Sequence, residues 1–370
     1  MNRQLAIELL GHTLSWETET ATEEIGELEY MAAVKYDGYR NFDAGNRFLE
    51  SLILWLRQFK QLDERKCAYQ FVKQRMLYFS ETQMDHLVSL LFPQYIFPIL
   101  CKQTCEFENI SPYKINKICN TDTFKILRRR ALFLGMSDGA RMDAFRRKNA
   151  LSHEQVCVSY ELSQEKWGSI HKEFDKWMDG HNYETGPQLE NIFLIDDFSG
   201  SGNSILCFNE EGEPKGKLNK FVSKYLEKYL NKRRCNLFVV TYIATETAIR
   251  RLRKDIALFM ENIEIPGLES CSMGDPLQML EDSIKVTPKT DEEFSKLLTS
   301  YYDKNLEDEI TESGGTDLIY GYSSCALSLV LNHNCPNNSV YLLWGQTDDA
   351  PEGAGLEALF PRIARHEEGK

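Results

Sequence analysis

The sequence predicts an α/β chain in which a helical N-terminal region precedes a parallel sheet covered by helices. Amphipathic helical stripes fill the first third, at "FLESLILWLRQF" and "AYQFVKQRMLYF". From residue 131 short apolar runs alternate with amphipathic helices, the pattern of a helix-covered parallel sheet. One of those runs, "NIFLIDDFSGSGNSIL" at 191–206, ends in two aspartates and a tract made almost wholly of Ser and Gly.

In the helical region Phe48, Leu49, Leu52, Ile53, Leu56 and Phe59 fall on one stripe, and Phe71, Val72, Met76 and Phe79 on the next. Pro93, Pro98 and Pro112 punctuate the stretch between these stripes and the first expected strand. Strands are expected at 131–136, 155–160, 191–195, 236–243 and 340–344. A helix is expected over 219–230, capped by Asn219 and burying Phe221, Val222, Tyr225, Leu226, Tyr229 and Leu230. Residues 161–178 also read as helix. The polar stretch 209–217 and the acidic, irregular segment 269–315 read as surface, and the last residues, "RHEEGK", as frayed. The organisation expected is a helical region over 1–122 and an α/β domain over 123–370, with a hood segment near 265–345.

The 370 residues, 42% hydrophobic, suit a globular protein with a sizeable core. Asp and Glu outnumber Lys and Arg by 56 to 43, and a net charge of −13 argues against nucleic acid as the main ligand. The basic clusters at 127–131, 145–149 and 249–255 therefore read as solvated helix faces. Ten cysteines without paired Cys-x-x-Cys elements argue against zinc and read as reduced thiols of a cytoplasmic protein. No twenty-residue uncharged apolar run is apparent, so no membrane span is expected.

Ligands of open parallel sheets bind beyond the carboxyl ends of strands, where "NIFLI" delivers Asp196 and Asp197. The next residues, Ser199, Gly200, Ser201, Gly202, Asn203 and Ser204, offer backbone N–H groups with little obstruction, and a following helix would aim its positive end at the same spot. A phosphate suits that turn. The carboxylates call for vicinal hydroxyls, or for a metal ion between them, and a ribose 5-phosphate supplies hydroxyls and phosphate together. A Walker loop needs Gly-Lys-Ser/Thr where Gly202 is followed by Asn203, and a dinucleotide fingerprint needs glycines directly after the strand.

The segments "IFLI", "DD", "FSG" and "SGNS" resemble, at identical spacing, the 5-phosphoribosyl 1-pyrophosphate (PRPP) motif of type I phosphoribosyltransferases. By that resemblance Asp196 and Asp197 hold the ribose hydroxyls, and Ser201, Gly202, Asn203 and Ser204 wrap the 5-phosphate. "ALFLGMSDGARMD" resembles the first strand and pyrophosphate loop, with Ser137, Asp138, Gly139, Ala140 and Arg141 at the turn. The resemblance implies the type I phosphoribosyltransferase fold and Mg²⁺ near Asp196 and Asp197, directly or through water. Tyr320, Gly321 and Tyr322 are candidates for stacking on a base.

Together with "GYSSCALSLVLNHNCPNNSVYLLW" and "LFPRIARH", these segments resemble phosphoribosyltransferase-like proteins of bacterial conflict and antiphage loci. That likeness implies a defence role with a protein partner from the same operon, and transfer or cleavage at the anomeric carbon of PRPP or a nucleotide. One departure favours a second reading, a catalytically silent nucleotide-sensing or assembly module that binds a protein partner through its helical region. The only loop before the PRPP strand, "DGHNYETGPQLEN", carries no Lys or Arg. A further departure is Asn203, which stands where the motif has its second glycine; it can take a left-handed conformation at greater cost than glycine and fills space near the phosphate.

Overall fold

The computed structural model describes residues 1–42, 45–183, 189–226, 230, 234–304, 317–347 and 355–362. The chain divides into two compact units, one built from Met1–Met84 with Ser283–Lys370, the other from Asp85–Asp282. The division falls at 84/85 and 282/283, whereas the sequence texture places it near 122. The physical reason is that the last part of the chain returns to complete the core of the first helices.

In the first unit, α1 (Arg3–Leu14), α2 (Thr18–Val34), α3 (Phe48–Arg57) and α4 (Leu62–Gln74) bury their apolar stripes together. Phe48, Leu52, Ile53, Leu56 and Phe59 are buried as the periodicity predicts. The Trp55 indole donates to Leu342 O at 2.7 Å, and the Phe71 ring stacks on Phe294 with centroids 3.7 Å apart. The second stripe is not wholly helical: α4 stops at Gln74, and β1 (Leu77–Phe79) pairs in parallel with a late strand, Leu329–Leu331. The expected strand at 340–344 is instead a 3-10 turn, Tyr341–Leu343, inside the same core. An apolar run buried on all sides carries no period that separates the two forms.

The second unit holds a parallel sheet. Its strands are β2 (Leu132–Gly135), β3 (Val156–Cys157), β4 (Leu189–Ser199), β7 (Arg234–Thr245), β8 (Leu268–Met273) and β9 (Gln278–Leu280). The order is β3-β2-β4-β7-β8, with β9 also on β7. Between β4 and β7 a small antiparallel hairpin is made by β5 (Cys207–Phe208) and β6 (Pro214–Lys215). The last two sheet strands lie within the stretch expected to be irregular, part of which, 305–316, lies outside the described residues.

Both faces of the sheet are covered, which is why its strands read as continuous apolar runs. Leu132, Leu134, Ile192, Leu194, Leu237 and Val239 pack with Phe221, Leu252, Ile256 and Phe259. The last three of those lie on the helix Glu246–Asn262. On the other face Phe133, Phe193 and Phe238 are register partners. Their rings stack at 5.3 and 4.9 Å. The helix expected near 219 starts earlier, as Lys217–Phe221, and continues as a π turn, Val222–Leu226. Asn219 is not its cap; the side-chain amide donates to Pro214 O at 2.6 Å. Tyr229 lies outside the described residues.

One helical run, Glu81–Glu108, is long and apolar enough by length and composition to cross a membrane, although it holds no twenty-residue uncharged run. Its Phe92 ring lies 6.4 Å from Phe133 and its Phe97 ring 5.7 Å from Phe124, so within the second unit it serves as a core helix.

Candidate functional site

The sheet order makes the gap between β2 and β4 a switch point: β2 is followed by β3 on one side, and β4 lies on the other. Crevices at such points are where α/β sheets bind ligands. Pairing of β2 with β4 ends at Gly135↔Ile195, with a last bond from Met136 N to Ile195 O at 2.8 Å. β4 itself runs on beside β7 as far as Ser199↔Ala244. Asp196 and Asp197 are therefore the first residues of β4 beyond the end of β2, inside the strand and not past its end.

The loop after β2 fills that opening. Ser137 precedes a 3-10 turn, Asp138–Ala140. Its hydroxyl reaches both carboxylates, donating to Asp197 Oδ1 at 2.8 Å and also contacting Asp196 Oδ1. The structure thus joins the two segments that the sequence singled out separately. Asp196 is 2% exposed. Burial pushes its carboxyl up to about 6, against the pull of Lys217 and with a further upward push from Asp197.

Lys217 was not among the sequence candidates, although its Nζ lies 2.9 Å from Asp196 Oδ2. The β5–β6 hairpin carries the chain out and returns it so that Lys217 N–H bonds Ser204 O at 3.0 Å. The helix therefore begins beside the Ser/Gly turn in space, with the hairpin inserted between the two in the chain. The one local signal was a lysine closing the polar stretch 209–217.

In the turn itself, Gly202 has φ +85° and Asn203 does not have a positive φ. The left-handed residue is therefore the glycine that remains, so the replacement at 203 carries no backbone strain. Ile205 and Leu206 N–H both return to Gly202 O, at 3.0 and 3.1 Å. Asn203 N–H bonds Ser201 Oγ at 3.3 Å, and its Oδ1 accepts from Arg251. Arg251 belongs to the 249–255 cluster that reads as a solvated face, yet it leans onto the turn while also pairing with Asp255 at 3.2 Å. Thr245 Oγ1 fixes the turn's start by donating to Gly200 O at 2.7 Å. Ser199 is 3% exposed, and its hydroxyl has no hydrogen-bond partner among the described residues. A buried orphan donor in a crevice is a group that a ligand or water completes.

Of the remaining loop residues, Asp138 is exposed, Gly139 is half-buried, and Ala140 is buried with its carbonyl accepting from Tyr242 OH at 2.8 Å. Arg141 takes a left-handed backbone, φ 50°, and its guanidinium pairs with Asp85 at 3.0 Å with the side chain only 10% exposed. Burial pushes the Asp85 carboxyl up, but Lys148 and Arg141 outweigh it and hold it below the usual carboxylate range.

Tyr320, Gly321 and Tyr322 belong to the other unit, and the expected hood, 265–345, is divided between the two. There Gly321 has φ +74°, and a Cβ on it would stand 2.5 Å from Asn338 O. Tyr322 N–H bonds Asn337 O at 2.7 Å, and the Asn338 amide returns to Tyr322 O at 3.2 Å. Gly321 is required by this close approach of two backbones. Part of the lysine-free loop before β4, residues 184–188, lies outside the described residues.

The carboxylate pair does not fit a directly bound divalent ion as it stands. Asp196 Oδ2 already holds an ammonium group, and its Oδ1 accepts from Asp197 N–H at 3.2 Å and contacts the Ser137 hydroxyl. Among the described residues, no cluster of three or more His, Cys, Asp or Glu side chains suits a metal.

A helix-covered parallel sheet, with acids and a Ser/Gly turn at its switch point, defines a phosphoribosyltransferase-like protein. A family model described as PRTase-CE matches residues 52–362, and the chain belongs to that family. No curated protein and no solved structure matches it.

Proposed function

We propose that the crevice between β2 and β4 binds the ribose 5-phosphate part of PRPP or a nucleotide, as a component of a bacterial antiphage defence system. The observation that carries this reading is the joining of Ser137, Asp196 and Asp197 directly ahead of the Ser199–Ser204 turn. Carboxylates accept from the ribose hydroxyls, and the turn's N–H groups, the hydroxyls of Ser201 and Ser204 and the Arg251 guanidinium surround the 5-phosphate. Charge developing on the anomeric carbon during transfer or cleavage would face the acidic pair. Mg²⁺, which binds largely through substrate phosphates and keeps much of its water, belongs in this reading to the pyrophosphate of PRPP. The ten unbridged cysteines support a reducing, cytoplasmic setting. A protein partner encoded beside it belongs to this reading through the resemblance to proteins of conflict loci.

Arg141 favours the second reading, a nucleotide sensor without turnover. It is the one cationic side chain of the 137–141 loop, and it is committed to Asp85. Calorimetric titration with PRPP and a nucleotide panel tests the site. The Asp196→Asn, Asp197→Asn double variant, with folding checked by thermal unfolding, is expected to lose binding. Undiminished binding removes the phosphoribosyl reading. Incubation with PRPP and nucleobases, following pyrophosphate and free base, separates enzyme from sensor.

A further inference from the structure

Ion pairs divide the site into an open half and a closed half. On the phosphate side, Arg251 reaches the turn from a side chain that is 41% exposed, so it can shift onto an incoming anion. The buried Ser199 hydroxyl there lacks a partner among the described residues. On the pyrophosphate side, Arg141 is held by Asp85, whose second oxygen takes Lys148 at 3.1 Å. At the centre the Lys217 ammonium rests on the more deeply buried of the two acids.

Two adjacent acids repel each other and an incoming phosphate unless a cation stands among them, and a bound divalent ion ordinarily supplies that charge. Here a lysine supplies it from within the chain, at hydrogen-bonding distance and with a side chain 16% exposed. A pyrophosphate would need cationic or metal neutralisation of its own, and the loop's arginine is already paired with Asp85.

Resting on the phosphoribosyl reading, we infer that this site takes a ribose 5-phosphate group carrying neither pyrophosphate nor metal, with Lys217 standing in for the divalent cation. Free ribose 5-phosphate and the nucleoside 5′-monophosphates share that chemistry. With Lys217 on Oδ2 and the Asp197 N–H on Oδ1, Asp196 is engaged at both oxygens, and the half-buried Asp197 is the more accessible acid for the hydroxyls.

The test is calorimetric titration of the full chain with ribose 5-phosphate, four nucleoside monophosphates and PRPP, each in EDTA and again with Mg²⁺. Ribose 5-phosphate or a monophosphate is expected to bind in EDTA, changed less than about threefold by Mg²⁺, with PRPP no tighter. Comparing ribose 5-phosphate with the monophosphates tells whether a base adds affinity. Lys217→Gln is expected to weaken binding in EDTA by about tenfold or more and to recover part of it with Mg²⁺, while Lys217→Arg keeps metal-free binding. Wild-type binding that appears only with Mg²⁺, or PRPP binding about tenfold tighter than every monophosphate, overturns the inference and leaves the phosphoribosyl reading standing. No heat with any ligand in either buffer overturns both. The wild-type comparison decides the matter even if the Gln variant does not fold.

Discussion

Lys217 Nζ sits 2.9 Å from Asp196 Oδ2, in a pair whose side chains are 16% and 3% exposed. Neither charge has ready access to water, so each depends on the other. Removing one partner of such a pair leaves the other buried and unpaired, whereas removing both is far less costly. Lys217→Met is therefore expected to destabilise the protein by about 3 kcal/mol in urea unfolding, and adding Asp196→Asn to recover much of the loss. Additive effects of the two changes would mean that the pair contributes nothing as a pair.

The raised carboxyl of Asp196 makes stability depend on pH with a definite sign. Its folded value, about 6, lies above the ordinary 3.8, so the folded state holds the proton more tightly than the unfolded chain does. The contribution is fully present below the unfolded value and is lost as pH rises through about 6. Wild type is expected to lose about 2 kcal/mol relative to Asp196→Asn between pH 4 and 7, both followed by denaturant unfolding. A difference that is flat with pH would place the proton elsewhere.

Arg251 is a surface side chain tied to the turn by its bond to Asn203, across a sequence separation of 48 residues. Arg251→Gln is expected to change stability by less than about 0.5 kcal/mol and to weaken binding of ribose 5-phosphate about tenfold. Binding of ribose without a phosphate should not respond to the change. Equal weakening of both ligands would assign Arg251 to the fold and not to the phosphate.

The contrast between Arg251 and the aspartates shows what the sequence could carry. "NIFLI" was legible because a strand covered on both faces is apolar throughout, and the acids and the Ser/Gly turn come after it with no intervening insertion. The phenylalanine ladder of 133, 193 and 238 lies within strands that the alternation identified. Lys217 and Arg251 were not legible because tertiary folding brings them to the turn. A hairpin separates Lys217 from Asp196 by 21 residues, and Arg251 sits in a basic run that looks like any solvated helix face. The unit boundary was hidden for a similar reason. Phe71 lies on an ordinary helical stripe and Trp55 in the helix that carries the other, and nothing local announces that Phe294 and Leu342 are what they meet. β1 and its partner strand Leu329–Leu331 are each too short to show a period of two.

Asp85 decides whether Arg141 can serve a pyrophosphate. The pair is 3.0 Å apart, with Asp85 42% exposed and the Arg141 side chain only 10% exposed. Removing the anion leaves a largely buried guanidinium without it, so Asp85→Asn is expected to cost about 2 kcal/mol in denaturant unfolding. It leaves Arg141 and Lys148 with a neutral amide in place of a shared anion. Affinity for inorganic pyrophosphate and PRPP should rise about tenfold, while affinity for ribose 5-phosphate, whose phosphate the proposal assigns to the Ser/Gly turn, stays within about threefold. Because Asp85 holds its charge below the usual carboxylate range, mild acid alone should not mimic the substitution. Calorimetry with the three ligands at pH 7 and pH 5 checks all of this. An unchanged PRPP affinity in a folded Asp85→Asn protein would show that the Asp85–Arg141 pair is purely structural and that the 137–141 loop takes no pyrophosphate at all.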